Sequence, residues 1–226
     1  MITPALGISI VTYHADPVLL AELLHSLERA VALLRARNHE TTVALTLIDN
    51  SDTAIQLHSL CARLDPAITT SIISPGRNLG YGRAHNLAIT TAIAPYHLIL
   101  NPDVLLDEEV LLQGLDYLDA HPDLAALSPD AVDGGGRQLY LCKTYPALLD
   151  LLLRGFAPAW LQQRFARRLQ RYECRALVDA QQPAAVDLIS GCFMLCRTAL
   201  LQQVGGFDSR FFLYFEDFAL SLALGK

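Results

Sequence analysis

Long apolar runs are missing from this chain. Nowhere do about 18 apolar residues follow one another, so no membrane-spanning helix is expected. Charge is scarce as well, at 18% of 226 residues against 52% hydrophobic ones. That balance excludes a disordered chain and supplies enough apolar surface for a full core. Basic residues are the minority sign, with 17 Lys and Arg against 23 Asp and Glu and a net charge of -6. Bulk electrostatics therefore speak against a nucleic-acid partner. The five cysteines, Cys61, Cys142, Cys174, Cys192 and Cys196, are odd in number and scattered. They form neither a disulfide framework nor a zinc pattern, which fits a reducing compartment. Cys192 and Cys196 lie in an apolar run and are expected as buried free thiols. The opening Met1-Ile2-Thr3-Pro4 lacks a basic stretch and a long apolar segment, so no signal peptide is expected and the cytoplasm is the default location.

What is present reads as one α/β domain. Residues 7–12 form a β-branched run, and Asp16-Pro17 then supplies a helix cap and a first-turn proline. Leu20, Leu23, Leu24, Leu27, Val31 and Leu34 continue at helical spacing to about residue 37. Strands are expected at 42–48, 68–73 and 96–100, with helices running to about residue 64 and over 83–92 between them. The β-α-β-α-β-α-β order implies a largely parallel sheet with right-handed crossovers. Further on, a helix is expected over 107–120, a strand over 124–127, a turn at 133–136, an apolar strand over 185–197 and a short helix over 198–204.

Ligands of such sheets bind beyond the carboxyl ends of the strands. Polar residues gather there: Thr12-Tyr13-His14, Asp49-Asn50-Ser51, Arg77-Asn78 and Asn101-Pro102-Asp103. The loop 76–86 is glycine-rich and leads into a helix, whose free N–H groups and dipole favour an anion. It is not a dinucleotide fingerprint, because His85 stands where the third glycine belongs. His85 itself reads as a structural residue of the helix.

Six segments together, ISIVTYH (8–14), LIDNSD (47–52), GRNLGYGRAHN (76–86), LILNPDV (98–104), ISGCFMLCR (189–197) and VGGFDSRFFLYFED (204–217), resemble the family 2 glycosyltransferases, and among them the bacterial rhamnosyltransferase-like members. The resemblance implies a GT-A fold: a Rossmann-like, nucleotide-sugar-binding half at 1–103 and an acceptor-binding half at 104–226. It also implies an inverting transfer of a sugar, rhamnose or another hexose, from a dTDP- or UDP-sugar to a cell-surface glycan or lipid-linked saccharide. A divalent cation, Mg²⁺ or Mn²⁺, would assist. By the same resemblance Thr12, Tyr13, Asp49, Asn50 and Ser51 would hold the base and ribose, and Arg77, Asn78 and Gly80 would line the donor. Asn101 and Asp103 stand at the family's DxD position, with Asp103 as the one carboxylate for the metal. Gly191 would leave room for the sugar. Asp217 would be the general base, Glu216 would orient the acceptor or its loop, and Phe211, Phe212, Tyr214 and Phe215 would wall the acceptor.

The match departs from the family at two places. Ala219 stands where a further aspartate is usual, and the chain stops at Lys226 where relatives continue, which suggests a C-terminal truncation. Both leave a non-catalytic nucleotide-sugar-binding module as the alternative. A nucleotidyltransferase is disfavoured, because residues 13–16 contain neither glycine nor an Arg or Lys. Residues 148–175 stand apart: arginines interleave with leucines, phenylalanines and Trp160 in an otherwise acidic chain. Such helices can lie in a membrane interface or pack on the domain with solvated arginines. Gly155 and Pro158 are expected to break the segment in two.

Overall fold

The computed structural model of the chain describes residues 3–52 and 57–225. Strand β1 (Leu6–Thr12) is buried along its whole length. Helix α1 (Pro17–Arg37) follows; the Asp16 side chain accepts from Val18 N, and Arg35 and Arg37 face the negative end of its dipole. Strand β2 (Val43–Asp49), helix α2 (Leu57–Cys61), strand β3 (Ile68–Ile73), helix α3 (Tyr81–Ile89) and strand β4 (Tyr96–Leu100) complete a parallel set. Helix α4 (Val110–Ala120) leads to strand β5 (Ala126–Leu127) and a small hairpin of β6 (Ala131–Val132) and β7 (Gln138–Leu139). Four short helices follow: α5 (Leu148–Phe156), α6 (Ala159–Arg164), α7 (Ala166–Tyr172) and α8 (Arg175–Asp179). Strand β8 (Phe193–Arg197), helix α9 (Thr198–Gln203) and helix α10 (Glu216–Leu224) end the described chain. No described helix is long and apolar enough to cross a membrane.

The main sheet runs β3-β2-β1-β4-β8-β5, with β8 antiparallel to both neighbours. The chain builds outward from β1 to β3 and then crosses back to β4. That reversal opens a crevice at the carboxyl ends of β1 and β4. Two apolar layers hold the sheet. Leu23 and Leu27 of α1 and Leu111 of α4 pack with Ile8, Leu45 and Leu98 in one. Ile89, Phe207 and Leu220 pack with Ile99 and Met194 in the other. The mixed, mostly parallel α/β sheet is the one the sequence led us to expect.

Inside the second face Ser9 bridges two buried histidines, at 2.8 Å from His85 Nδ1 and 2.9 Å from His97 Nε2. Burial, with His97 adding, pushes the His85 pKa down to about 3, and burial pushes His97 to about 4. Both rings therefore stay neutral, and His85 joins α3 to β1 and β4.

Several local expectations shift; the segment 148–175, expected to break in two, divides further, into α5, α6, α7 and the start of α8. The apolar run 185–197 is a strand only from Phe193: before it Leu188 makes a lone bridge to Lys143, and Ile189 N and Gly191 N turn to helix α10, donating to Ser221 Oγ at 3.2 Å and Asp217 Oδ2 at 3.1 Å. Cys192 is accordingly only partly buried, whereas Cys196 is fully buried. Helix α3 starts at Tyr81 instead of Arg83, behind Gly80 at φ 82°. Helix α4 starts at Val110, since the Asp107 side chain accepts from Glu109 N at 2.9 Å in a turn of its own. The helix expected to reach about residue 64 stops at Cys61, and its residues 53–56 lie outside the described ones.

Candidate active site

The carboxyl ends of β1 and β2 are knitted by polar groups. Asn50 N donates to Thr12 O at 2.8 Å, and His14 N, at φ 48°, donates to Ser51 Oγ at 2.8 Å. Ser51 N donates to Asp49 Oδ1 at 3.1 Å, and Asp49 is almost fully buried. The Thr12 hydroxyl is buried and turned to Ile48 O, 3.4 Å away. Tyr13 is exposed, edge-on to His14 with 4.4 Å between ring centroids, and presents a face on which a base can stack.

Asn50 ties this end to the glycine-rich loop. Its amide donates to Asn78 Oδ1 at 2.9 Å and Gly80 O at 3.3 Å, and its carbonyl accepts from Leu79 N at 2.9 Å. Asn78 in turn accepts from Gly80 N at 2.8 Å. Tyr81 N donates to Phe212 O at 3.1 Å. Three successive N–H groups are thus already used, so the loop is not the open anion cradle its composition suggests. Arg77 is exposed and makes no ion pair among the described residues.

The second group forms where β4 meets the start of β8. Asn101 N donates to Cys192 O at 3.0 Å, which joins the Asn101-Pro102-Asp103 turn to the Gly191 segment. Asp217, in the first turn of α10, accepts from Gly191 N at 3.1 Å and from Phe218 N at 2.9 Å. A Cβ on Gly191 would stand 3.2 Å from the Tyr81 hydroxyl and 3.4 Å from Asp217 Cβ. Glu216 is buried, and its Oε2 has no hydrogen-bond partner among the described residues. Asp103 is exposed at the end of β4. Burial raises the Tyr81 pKa well above the usual phenol value, and Cys192, Asp217, Glu216 and Asp103 raise it further. The three carboxylates thus lie within electrostatic reach of one hydroxyl.

Two participants escaped sequence reasoning. Tyr81 donates its hydroxyl to Gly191 O at 2.6 Å, directly behind the acidic pair. Ser221 Oγ donates to Asp217 O at 2.8 Å and accepts from Ile189 N. The spacing of four residues from Asp217 on a helix was the available signal for Ser221. For Tyr81 the signal was a large side chain between Gly80 and Gly82. The outer wall is aromatic: Phe212, Tyr214 and Phe215 are exposed, and Tyr214 and Phe215 both sit at positive φ, 69° and 66°. Non-glycine residues in that region are strained by about 1–2 kcal/mol each.

Burial raises the pKa of Asp217, against the Gly191 and Phe218 N–H groups. Burial also raises that of Glu216, with the charge of Asp217 adding. The folded chain then holds protons that the unfolded chain has released. Their contribution to stability is full below the unfolded carboxylate values and is lost as pH rises through the raised folded ones. Glu216→Gln is therefore expected to melt above the parent at neutral pH, with the gain fading as pH falls to about 4. Each 1 kcal/mol corresponds to roughly 2–4 °C in a chain of this size. Melting curves of parent and variant across pH measure it; equal melting at neutral pH would mean the buried carboxylate carries its charge without cost.

A family model described as glycosyl transferase family 2 matches residues 8–202. An N-acetylglucosaminyl-diphospho-decaprenol L-rhamnosyltransferase of Mycobacterium tuberculosis is 29% identical over 242 residues, covering 99% of this chain and 71% of its own. The rhamnosyltransferase WbbL of Escherichia coli K12 is 25% identical over 153 residues, 64% of this chain and 54% of its own. Among solved structures, the mannosyltransferase PcManGT of Pyrobaculum calidifontis, in complex with GDP-Man and Mn²⁺, superposes with a TM-score of 0.58 at 18% identity, covering 92% of this chain and 48% of that one. TarS 1–349 of S. aureus, in complex with UDP-GlcNAc, gives 0.57 at 16% identity, covering 97% and 52%. The chain spans about half the length of these two structures, and at such identities the likeness establishes the fold.

Proposed function

The chain belongs to glycosyl transferase family 2, and from that premise we propose that it moves a hexose, rhamnose foremost, from a dTDP- or UDP-sugar to a hydroxyl of a lipid-linked saccharide. The mycobacterial relative's name pairs rhamnose with an N-acetylglucosaminyl diphospho-polyprenol, and the chemical class of donor and acceptor is carried over from it. The observation that carries the reading is the placement of Asp217. Its carboxylate is oriented by two backbone N–H groups, beside the glycine at 191.

Residues 1–103 are assigned to the donor and 104–226 to the acceptor. Asp49, Asn50 and Ser51 define the base and ribose end with Thr12 and Tyr13, and Arg77 and Asn101 flank the diphosphate. Asp217 takes the proton of the acceptor hydroxyl as that oxygen attacks the anomeric carbon. The bond from that carbon to the diphosphate breaks on the opposite face, inverting the centre, and the diphosphate leaves with the electron pair. Glu216 backs the loop that presents the acceptor. Among the described residues no three His, Cys, Asp or Glu side chains converge on a metal-sized site. Asp103, exposed just past the end of β4, offers one carboxylate to a hard cation, with phosphate oxygens and water completing the set. Bound there, Mg²⁺ or Mn²⁺ would neutralise charge on the departing diphosphate. The reaction is assigned to the cytoplasmic face of a membrane.

Thermal shifts with dTDP, UDP, GDP and NAD, each with and without Mg²⁺ or Mn²⁺, test the donor site. A ligand at about 100 times its Kd adds roughly 2.7 kcal/mol. The expected result is a metal-dependent shift with one pyrimidine diphosphate, and loss of the metal-dependent part in Asp103→Asn. A shift with NAD alone, or one indifferent to Asp103, would overturn the assignment.

A further inference from the structure

We infer that the helical excursion spanning 144–187 is a docking surface for an anionic phospholipid bilayer, with Phe156 and Trp160 at its apolar tip and Arg164, Arg167 and Arg171 reaching lipid phosphates. The excursion is hung from one point. Lys143 and Leu188 exchange both backbone hydrogen bonds, at 2.9 and 3.0 Å, three residues before Gly191. Thr144 N to Tyr172 O, at 2.9 Å, and Tyr145 N to Asp187 Oδ2, at 3.0 Å, brace its base.

Its arginines divide by partner. Arg168 pairs with the buried Asp150 at 2.6 Å and ties α7 to α5, while Arg154 and Arg175 both pair with Glu173. Those three are internal ties around the buried Leu153, Leu169 and Tyr172. Arg164, Arg167 and Arg171 are exposed, and their side chains make no ion pair or hydrogen bond among the described residues. Both acids of the stretch 148–175, Asp150 and Glu173, are paired with arginines, and the excursion's other two, Asp179 and Asp187, accept from the Tyr140 hydroxyl and Tyr145 N, which leaves the three arginines as its unpaired charges among the described residues. Next to it the apolar side chains turn outward: Phe156 is 86% exposed, Leu148 74% and Trp160 69%. Aromatic and leucine side chains beside unpaired arginines match the layering of a bilayer interface, with rings at the headgroup boundary and guanidinium groups among phosphates.

Charge complementarity selects the occupant. The chain as a whole is acidic, at -6, whereas the stretch 148–175 carries six arginines against two acids, so an anionic surface is drawn to this part of it. The inference rests on the lipid-linked acceptor proposed above only for its purpose, since bilayer binding stands or falls without any transfer.

Trp160 is the chain's one tryptophan, so its fluorescence reports on this tip alone. The experiment mixes the chain with vesicles of phosphatidylcholine alone or of equal phosphatidylcholine and phosphatidylglycerol, and follows cosedimentation and Trp160 emission. Expected are binding to the anionic vesicles with a blue shift, and release as salt is raised. Replacing Arg164, Arg167 and Arg171 together by glutamine removes about fivefold in partitioning per residue, roughly a hundredfold in all. All three are exposed, so an unchanged melting temperature accompanies that loss, and Phe156→Ser gives a second, charge-neutral loss. No binding to anionic vesicles overturns the inference, as does binding indifferent to the three arginines. A Trp160 shift that depends on protein concentration without vesicles also overturns it and assigns the tip to a second copy. Turnover on a detergent-solubilised acceptor separates the two readings: the triple variant retains it if the transferase reading holds, whatever the vesicles show.

Discussion

Replacing Asp217 by asparagine is expected to cut turnover by about 10²–10⁴-fold while donor binding stays within a few-fold of the parent. The substitution keeps the shape of the side chain and one of its two backbone bonds, since Gly191 N donates to Oδ2 and Phe218 N to Oδ1 and the amide offers a single acceptor oxygen. What it removes is the basic oxygen that takes the acceptor proton. The raised pKa of Asp217, caused by burial, brings the base closer to the pH at which it works. Turnover of the parent is therefore expected to fall as pH drops through that raised value, because the protonated carboxyl cannot accept. The thermal shift with the pyrimidine diphosphate reads donor binding independently of chemistry. Loss of both readouts together would make Asp217 a brace of the Gly191 segment rather than a base. Near-normal turnover with intact binding would remove it from the mechanism.

The parallel half of the fold was legible because each of its signals is local. Asp16-Pro17 and the leucines from Leu20 to Leu34 mark α1 from end to end, and β3 and β4 fall at the residues their apolar runs predicted. The half after β4 was less legible because its backbone bonds over long sequence distances. Residues 185–192 have the composition of a strand, yet Ile189 and Gly191 donate to side chains of α10, 32 and 26 residues away. No periodicity in that run announces partners so distant. The strand reading failed where the proposed base is held, as expected of a segment shaped by its site rather than by the sheet.

The site followed the same division. Strand-end positions placed Asp49, Asn50, Asn101 and Asp103 at one edge, because the end of a parallel strand is itself a local feature. The loop 76–86 was read only halfway. It was read as leading into a helix with N–H groups free for an anion, but the Phe212 carbonyl takes Tyr81 N, and the Asn50 amide closes the other side. The arginine-rich excursion offered two readings from sequence, packed helices or an interface. The structure divides its arginines, with Arg154, Arg168 and Arg175 turned to acids within it and Arg164, Arg167 and Arg171 turned out.

Gly80→Ala is expected to be the most damaging single-methyl change in the molecule. Gly80 has φ 82° and ψ 167°, a region open almost only to glycine, and a Cβ there would stand 2.3 Å from the Phe212 carbonyl oxygen. The contact is with backbone, so no side-chain rotation relieves it. The Phe212 carbonyl must move, and the bond it accepts from Tyr81 N goes with it. That displacement reaches the loop of Tyr214 and Phe215 and the first turn of α10, where Asp217 sits. Backbone strain and contact together are expected to cost about 3–4 kcal/mol, or roughly 6–16 °C in melting temperature. Gly76→Ala is the control: Gly76 also has positive φ, 72°, but a Cβ there meets nothing within 4 Å. It is expected to cost about 1–2 kcal/mol, from backbone conformation alone. Melting temperature and turnover per folded molecule, measured on both variants, separate the terms. A larger melting loss in Gly80→Ala, with turnover reduced beyond the folded fraction, would tie the glycine-rich loop to the placement of the acidic pair. Equal losses in the two variants would mean that the Phe212 segment yields freely, and that its docking on Gly80 does not position Asp217.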